Sequence, residues 1–454
     1  MIAGFDYGTS NCAIGVFSDK SAQLIAIDQG RTFMPSALYA LERELICESV
    51  GQQIPKKSLQ DSFIELRANP LNQARRVRRE HDIQASEQSL YVGQEAFDQY
   101  FALPEEGYFV KSPKSFLGAS GLRPEFVHFF EDIVTAMMQT IKQRAENQLG
   151  QTINHTVIGR PVNFQGMNSE QSNRQAIEIL SISAKRAGFS SVEFLFEPLA
   201  AGFDFEARLD KNKTVLVVDV GGGTTDCAMV NMGPSHRDKI ERSEDFLGHS
   251  GERIGGNDLD IQLAGKNLMQ LFGMQSILKS GLPMPIQPYW DAVTTNNVGS
   301  QSTFNSKETS HSLQQLMLDT TEPELLQRFI DLREQKQNHH LVRSAEQCKI
   351  ALSENAANNV ALDYIEQELA CNINQQQFAD AIERPLARVI ALMEDVITQA
   401  GRQPDVIYIT GGSAKSPVIR QAIERSLGSI EVLDGDHFGS VAAGLTLWAQ
   451  RIFE

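Results

Sequence analysis

The chain has 454 residues, 41% of them hydrophobic, and a formal net charge of −16, with a sequence pI near 5.1 and mean hydropathy −0.26. That size allows two or three domains, each burying its own core, and the acidity argues against nucleic-acid or anionic-membrane partners, whose surfaces demand positive fields. Its cysteines (Cys12, Cys47, Cys227, Cys348 and Cys371) include no CxxC pair and none closely spaced from His, so they read as reduced and not metal-binding.

In chain order, the first element is Ile2-Ala3-Gly4-Phe5-Asp6-Tyr7-Gly8-Thr9-Ser10-Asn11-Cys12-Ala13-Ile14. Its grammar is an apolar strand, Asp, a spacer, Gly, Thr, a polar pair and a second apolar run. No basic, apolar leader precedes it, and no stretch reaches the ~18 apolar residues of a membrane span, so a cytoplasmic location is expected. Residues 12–17 and 23–27 read as strands of a meander broken at Asp19-Lys20, and residues 31–36 end the sheet. Residues 42–100 look helical and polar. The run Arg75-Arg76-Val77-Arg78-Arg79 reads as a solvated helix face, the alternative being a phosphate or partner contact.

Lys111 and Lys114 lie beside a turn at Pro113, in itself a weak signal. Residues 125–149 place Phe126, Phe129, Phe130, Ile133, Val134, Met137, Met138 and Ile141 at helical spacing. A buried strand follows at 156–164, then an amphipathic helix at 171–187 ended by Gly188. Residues 192–196 form a further strand leading into Glu197-Pro198-Leu199-Ala200-Ala201-Gly202, with Pro as a helix-start signal. Glu197 is either a carboxylate at the strand's end near a ligand or a first-turn acid favoured by the helix dipole.

Residues 214–230, TVLVVDVGGGTTDCAMV, repeat the opening grammar about two hundred residues later. Gly221, Gly222 and Gly223 remove every Cβ from the turn, so backbone N–H groups can converge on an oxyanion, and Thr224 and Thr225 add hydroxyls. Asp219 and Asp226 flank the turn, which suits a divalent cation lying between carboxylates and phosphate oxygens. The plainer alternative is a hairpin whose aspartates face water. The repetition favours two similar half-domains facing one nucleotide.

Further on, residues 248–260 form a glycine-rich loop running into a helix N-terminus, where Gly255, Gly256 and Asp258 can present amides to an anion. Residues 277–309 read as an irregular insertion and 313–341 as a helix. His339 and His340 would sit on different sides of that helix, which disfavours metal binding. Glu346, Lys349 and Ser353 form one helical stripe, either a solvent edge or a polar ligand wall. Residues 405–417 read as strand, diglycine turn at Gly411-Gly412, then Ser413 and Lys415 at a helix start. A small-residue helix opens at Ser440 and runs through Trp448.

Taken together, FDYGTSN, VIGRPVNF with FEPLAAG, VVDVGGGTTD, IGGNDLD with SAEQCKIALS, and IYITGGSAKSP resemble the actin-type ATPase superfamily and, within it, the DnaK-type seventy-kilodalton heat-shock chaperones. The short YegD-like branch is the nearest resemblance. Absence of GxxxxGK[ST] and of a strand-led GxGxxG removes the P-loop and Rossmann readings.

The resemblance implies an α/β actin-like ATPase fold of two lobes, each a ribonuclease-H-like core (a mixed five-stranded sheet flanked by helices) with an inserted subdomain. Expected boundaries are 1–37 with 118–206 and 432–454 for the first core, 38–117 for its insertion, 207–247 with 385–431 for the second core, and 248–384 for its insertion. It further implies Mg-ATP/ADP, with K+ as an optional companion. Gly8, Thr9, Ser10 and Asn11, with Gly221, Gly222, Gly223, Thr224 and Thr225, would hold phosphates. Asp6, Asp219 and Asp226 would order Mg2+ largely through water, and Lys114, Glu197, Asp219, Asp226 and Thr224 would form the catalytic set. Gly255, Gly256, Asp258, Glu346, Lys349, Ser353, Gly411, Gly412, Ser413 and Lys415 would complete the nucleotide pocket, and Pro161 and Arg174 would relay its state to a partner.

Several departures stand out. Lys415 replaces the family's adenine-stacking arginine and lacks a planar guanidinium. Phe438 falls where the family has an acid, with Asp436 two residues earlier, and Gly166-Met167-Asn168 looks like a small insertion. The sequence ends at Glu454 without a β-rich peptide-binding domain, so the expected function is a slow ATPase with nucleotide-driven lobe closure and no peptide clamp of its own. Its protein partner is unidentified, and neither nucleic acid nor membrane is expected. A sugar or small-molecule kinase and an actin-like filament protein are the competing readings.

Overall fold

The computed structural model describes residues 1–119, 123–164, 169–237, 239, 242–428, 430–435 and 439–454. Two sheets with one shared topology organise it. In the first, the strand order is Ser21–Leu24, Asn11–Ser18, Ile2–Tyr7, His155–Arg160, Ser191–Phe196, with Met34–Pro35 pairing beside Asn11–Ser18. In the second it is Phe246–Glu252, Thr225–Met232, Lys213–Val220, Val406–Thr410, Glu431–Asp434. In both, the first three strands pair antiparallel and the last two join in parallel. Short turns close the antiparallel pairs Ile2–Tyr7 with Asn11–Ser18, Asn11–Ser18 with Ser21–Leu24, and Lys213–Val220 with Thr225–Met232, whereas the parallel pairs need long crossovers, here carried by helices such as Pro124–Leu149.

The strand Lys213–Val220 shows why a continuous apolar run was needed. Leu216, Val218 and Val220 pack into the core shared with helix Gln375–Ala400, while Val215 and Val217 face the opposite core with helices Glu197–Glu206 and Ser440–Phe453. Burial on both faces removes polar alternation. The last helix, Ser440–Phe453, lies against both Ile2–Tyr7 and Glu197–Glu206. This needs small residues, since a Cβ on Gly444 would stand 1.7 Å from the Ala200 carbonyl oxygen and one on Gly4 2.1 Å from the Thr446 nitrogen. Close packing of this seam fixes the carboxyl end of the first sheet, where the site forms.

Each sheet carries an insertion. The first adds helices Leu45–Gln53, Lys57–Leu66, Ala68–Glu80 and Gln94–Ala102 around the three-stranded sheet Leu90–Val92, Ala37–Ala40, Tyr108–Lys111. The second adds the pair Ala357–Ala361 and Ala370–Asn374 and several helices. Among the described residues no further β-rich unit accompanies the two lobes, and no helix is long and apolar enough to cross a membrane.

Three local expectations change. The 277–309 region is not irregular throughout: it holds helices Gln287–Val293 and Val298–Phe304, which bury Tyr289, Ala292, Val293 and Phe304. The apolar residues are too sparse for a visible period but reach a core built by distant segments. Residues 313–341 are not one helix but parts of Lys307–Asp319, Pro323–Glu334 and Asn338–Ala351, broken where Thr320 is extended and Pro323 restarts the chain. The glycine-rich 248–252 segment is strand rather than loop, paired with Thr225–Met232. Asp436, Phe438 and the Gly166-Met167-Asn168 stretch lie outside the described residues.

Candidate active site

The two glycine turns meet tip to tip. A Cβ on Gly222 would lie 1.9 Å from Ser10 Oγ, and one on Gly223 2.5 Å from the Thr9 methyl. Only glycine lets the second turn come this close to the first. Asn257 ties the tips together: its N–H donates to the Gly222 carbonyl at 2.7 Å, its Oδ1 accepts from Ser10 Oγ at 3.2 Å, and its Nδ2 donates to Ser112 Oγ at 3.0 Å.

Beneath the tips lie four carboxylates, Glu197, Asp219 and Asp226 buried and Asp6 half-buried. Asp6 and Glu197 come from the first lobe, Asp219 and Asp226 from the second. Lys114, from the 3-10 turn Pro113–Phe116, sits among them with Nζ 2.5 Å from Glu197 Oε1. Burial, then Glu197, pushes the Asp6 carboxyl up to about 7 against the pull of Lys114. The same two causes push Asp226 up to about 7, although the Val162 N–H, which donates to its Oδ1 at 2.6 Å, and the Thr224 side chain oppose them. Asp219 is raised well above its ordinary value by burial, then Glu197, Asp226 and Asp6. Burial works to lower the Lys114 ammonium, but Glu197 and Asp6 outweigh it and raise it. Negative charge therefore exceeds positive charge in a dry place, which is stable only with a cation or protons supplied. Asp226 Oδ2, buried and without a hydrogen-bond partner, is the atom most in need of one. These oxygens and the open glycine turns fit a hydrated Mg2+ carrying phosphates; no three acid, His or Cys side chains among the described residues converge into a direct metal-binding cluster.

The far side of the cleft belongs to the second lobe. Glu346 and Lys349 line it from helix Asn338–Ala351, with Gly256, Gly411, Gly412 and Ser413 opposite. Lys349 donates to the Gly256 carbonyl at 3.2 Å and pairs with Asp260 at 2.7 Å. Burial pushes Asp260 up to about 6 while Lys349 opposes it. Glu346 accepts from Lys111 of the first lobe at 2.7 Å and pairs with Arg343 at 2.9 Å. Burial would raise its carboxyl, but Lys111, Arg343 and Lys349 hold it well below the usual range. Gly411 adopts φ +90°, and a Cβ there would meet the Val220 carbonyl oxygen at 2.3 Å.

Asp6, Gly8, Thr9, Ser10, Asn11, Glu197, Asp219, Gly221, Gly222, Thr224, Gly256, Glu346, Lys349, Gly411, Gly412 and Ser413 thus line one cleft. Others lie elsewhere. Gly223 packs on Thr9, and Thr225 is fully buried with its hydroxyl donating to the Ile254 carbonyl at 2.8 Å. Asp258 does not face the cleft: it accepts from the Gly255 N–H at 2.8 Å and from Asn296 at 3.2 Å, capping helix Gly256–Leu263. Ser353 bonds the Lys349 carbonyl, and Lys415 ends the turn Gly412–Lys415 outside the lining. Pro161 sits beside Val162, which holds Asp226. Arg174 is exposed and pairs with Glu170, while its neighbour Asn173 makes the bonds to the 162–164 turn. Phe33, Ile350, Thr410 and Val441 also line the cleft. Ile350, four residues after Glu346 on the same helix face, was findable by spacing; Phe33 carried no local signal.

The family model described as "Hsp70 protein" matches residues 122–275 and 315–449, more than half of the chain. The chain belongs to the Hsp70 family. The matched spans of this Hsp70 member hold Glu197, the second glycine turn, the Glu346–Lys349 stripe and the Gly411-Gly412 turn; the first turn and Lys114 precede them. Among its relatives is "Chaperone protein DnaK" of Halobacterium salinarum, 24% identical over 437 residues, covering 94% of this chain and 52% of that protein. "Chaperone protein DnaK" of Prochlorococcus marinus is 23% identical over 438 residues, covering 94% and 55%. "Heat shock 70 kDa protein" of Ajellomyces capsulatus is 25% identical over 263 residues, covering 57% and 33%. The chain spans about half the length of the full-span DnaK relatives it matches.

Proposed function

We propose that the chain binds Mg-ATP in this cleft, hydrolyses it slowly to ADP and phosphate, and uses the nucleotide to set lobe closure toward a protein partner in a cytoplasmic, chaperone-related role. The observation that carries the reading is the pair of opposed glycine turns over half-buried Asp6 and buried Glu197, Asp219 and Asp226, with Lys114 among them. Family membership supports ATP binding and hydrolysis. The lobe boundaries given above are proposed with it.

Backbone amides of the two turns, with Thr9, Ser10 and Thr224, would take the phosphates. Asp6, Asp219 and Asp226 would hold Mg2+ through its water shell, and bound there it neutralises phosphate charge. Lys114 fixes the Glu197 carboxylate, so that an attacking water can be oriented by Glu197 and Asp219 rather than by a covalent intermediate. Glu346, Lys349, Ile350 and the Gly411-Gly412 turn would seat the nucleoside, the last allowing close approach of a flat base.

The test is isothermal titration of ATP and ADP with Mg2+ into wild type, Asp219→Ala and Glu197→Ala, with phosphate release followed in the same samples. Micromolar or tighter binding with slow release, lost in the variants, is the expected result. No binding at any Mg2+ concentration would overturn the reading, and a phosphorylated acceptor in place of free phosphate would turn it into a kinase.

A further inference from the structure

At the joint between the lobes stands a cation to which the hydrolytic scheme assigns no part. Arg160 ends the strand His155–Arg160, in register with Phe196, the residue before Glu197. Its Nε donates to the Pro161 carbonyl at 3.2 Å and its Nη2 to the Val162 carbonyl at 3.3 Å. Its guanidinium carbon stands 4.7 Å from the Phe196 ring centroid, and the same ring stacks on His249 of the second lobe.

The Pro161 carbonyl and the Val162 N–H belong to one planar peptide unit. Arg160 binds the oxygen of that unit, and the N–H on its other side donates to Asp226 Oδ1 at 2.6 Å. Turning the plane would withdraw that N–H and leave Asp226, whose Oδ2 already has no partner, without its backbone donor. The geometry across the joint is tight: a Cβ on Gly251 would lie 2.4 Å from Asp226 Oδ1, and Asn163 Nδ2 donates to the Gly251 carbonyl at 3.3 Å. Burial lowers the guanidinium, opposed by Glu197 and Asp226, so its charge is felt by both.

We propose that Arg160 is a positioning residue for the hydrolytic step, holding the Pro161–Val162 peptide plane and the Phe196 ring so that the Asp226 and Glu197 carboxylates are aimed together across the lobe joint. This rests on the ATPase reading. A guanidinium suits the task because its planar fork can serve two carbonyls while lying on a ring, which an ammonium cannot.

The test uses Arg160→Met, Arg160→Lys and Arg160→Ala in the full chain. Single-turnover phosphate release should fall about 10- to 100-fold in Arg160→Met, as misplacement of catalytic groups by about 1 Å can cost that much. The ATP dissociation constant should stay within about threefold, since the phosphate turns are untouched. Arg160→Lys should recover little, and guanidinium ion added to Arg160→Ala should restore part of the rate. Amide hydrogen exchange should show lost protection confined to the 160–164 segment. A wild-type rate in Arg160→Met, equal losses in affinity and rate, or unchanged exchange at Val162 would overturn the proposal. Should the wild type release no phosphate, the ATPase reading fails, while the exchange measurement still decides whether Arg160 holds Val162.

Discussion

Replacing Lys114 by Met removes the ammonium from a pocket in which it pairs with Glu197 at 2.5 Å, the two side chains being 4% and 9% exposed. Breaking a buried pair by deleting one partner costs about 3–5 kcal/mol, because a bare charge stays behind. Against a total stability of about 5–15 kcal/mol, and at about 2 °C per kcal/mol for a chain of this size, the thermal midpoint without nucleotide should fall by roughly 5–10 °C. Adding Glu197→Gln removes the orphaned charge, so the double variant should be less destabilised than the sum of the singles by about 1–3 kcal/mol.

The pH dependence follows from the same charges. Burial and then Glu197 push Asp6 and Asp226 up to about 7. A carboxyl raised on folding contributes stability that is present below its ordinary value and lost as pH rises through about 7. Lys114 opposes these shifts, so without it the carboxyls bind protons more strongly. The Lys114→Met deficit should therefore be largest near about pH 8 and shrink toward about pH 5. Circular dichroism melts at both pH values measure it. A deficit below about 1 kcal/mol at the higher pH, the range of an exposed pair, or one that grows toward acid, would refute the charge assignment.

Other outcomes are equally specific. Gly222→Ala sets a Cβ 1.9 Å from Ser10 Oγ, so ATP affinity should fall at least about tenfold as the turns are forced apart, read by titration. Lys111→Met breaks the 2.7 Å bond to Glu346 that joins the lobes across the cleft, and ADP release in stopped flow should quicken several-fold. Asp226→Asn should weaken the Mg2+ dependence of ATP affinity, since Asp6 and Asp219 remain, while leaving binding in chelator unchanged, read by titration. Asp258→Ala should cost about 1 kcal/mol of stability as a lost helix cap with no change in ATP affinity; a large affinity loss would return Asp258 to the cleft.

Much of this was legible in the sequence because the decisive features are local. The glycine turns need residues without Cβ at fixed places, and the strands Lys213–Val220 and Val406–Thr410, buried on both faces, need near-continuous apolar runs, interrupted in the first by Asp219 at the site. Those requirements write themselves into consecutive residues, so Asp6, Asp219 and the Gly411-Gly412 turn, which line one cleft, could be named from the pattern, whereas Glu197 was given a role only by the family resemblance. The Glu346–Lys349 stripe was visible by helical spacing, and Ile350 lies on it.

Tertiary structure alone decided what depends on distant neighbours. Thr225 and Asp258 have the right chemistry for a ligand but spend it on Ile254 and on a helix cap, since the nearest unsatisfied backbone group wins. The two helices within 287–304 form because Tyr289 and Phe304 find a core assembled by other segments. Arg160 gains its place only when Phe196 and Asp226 arrive from two other strands, one in each lobe, beside its own Val162 turn. A sequence records which groups are needed at a turn; which groups are left over to meet a ligand is settled only when the whole chain has competed for them.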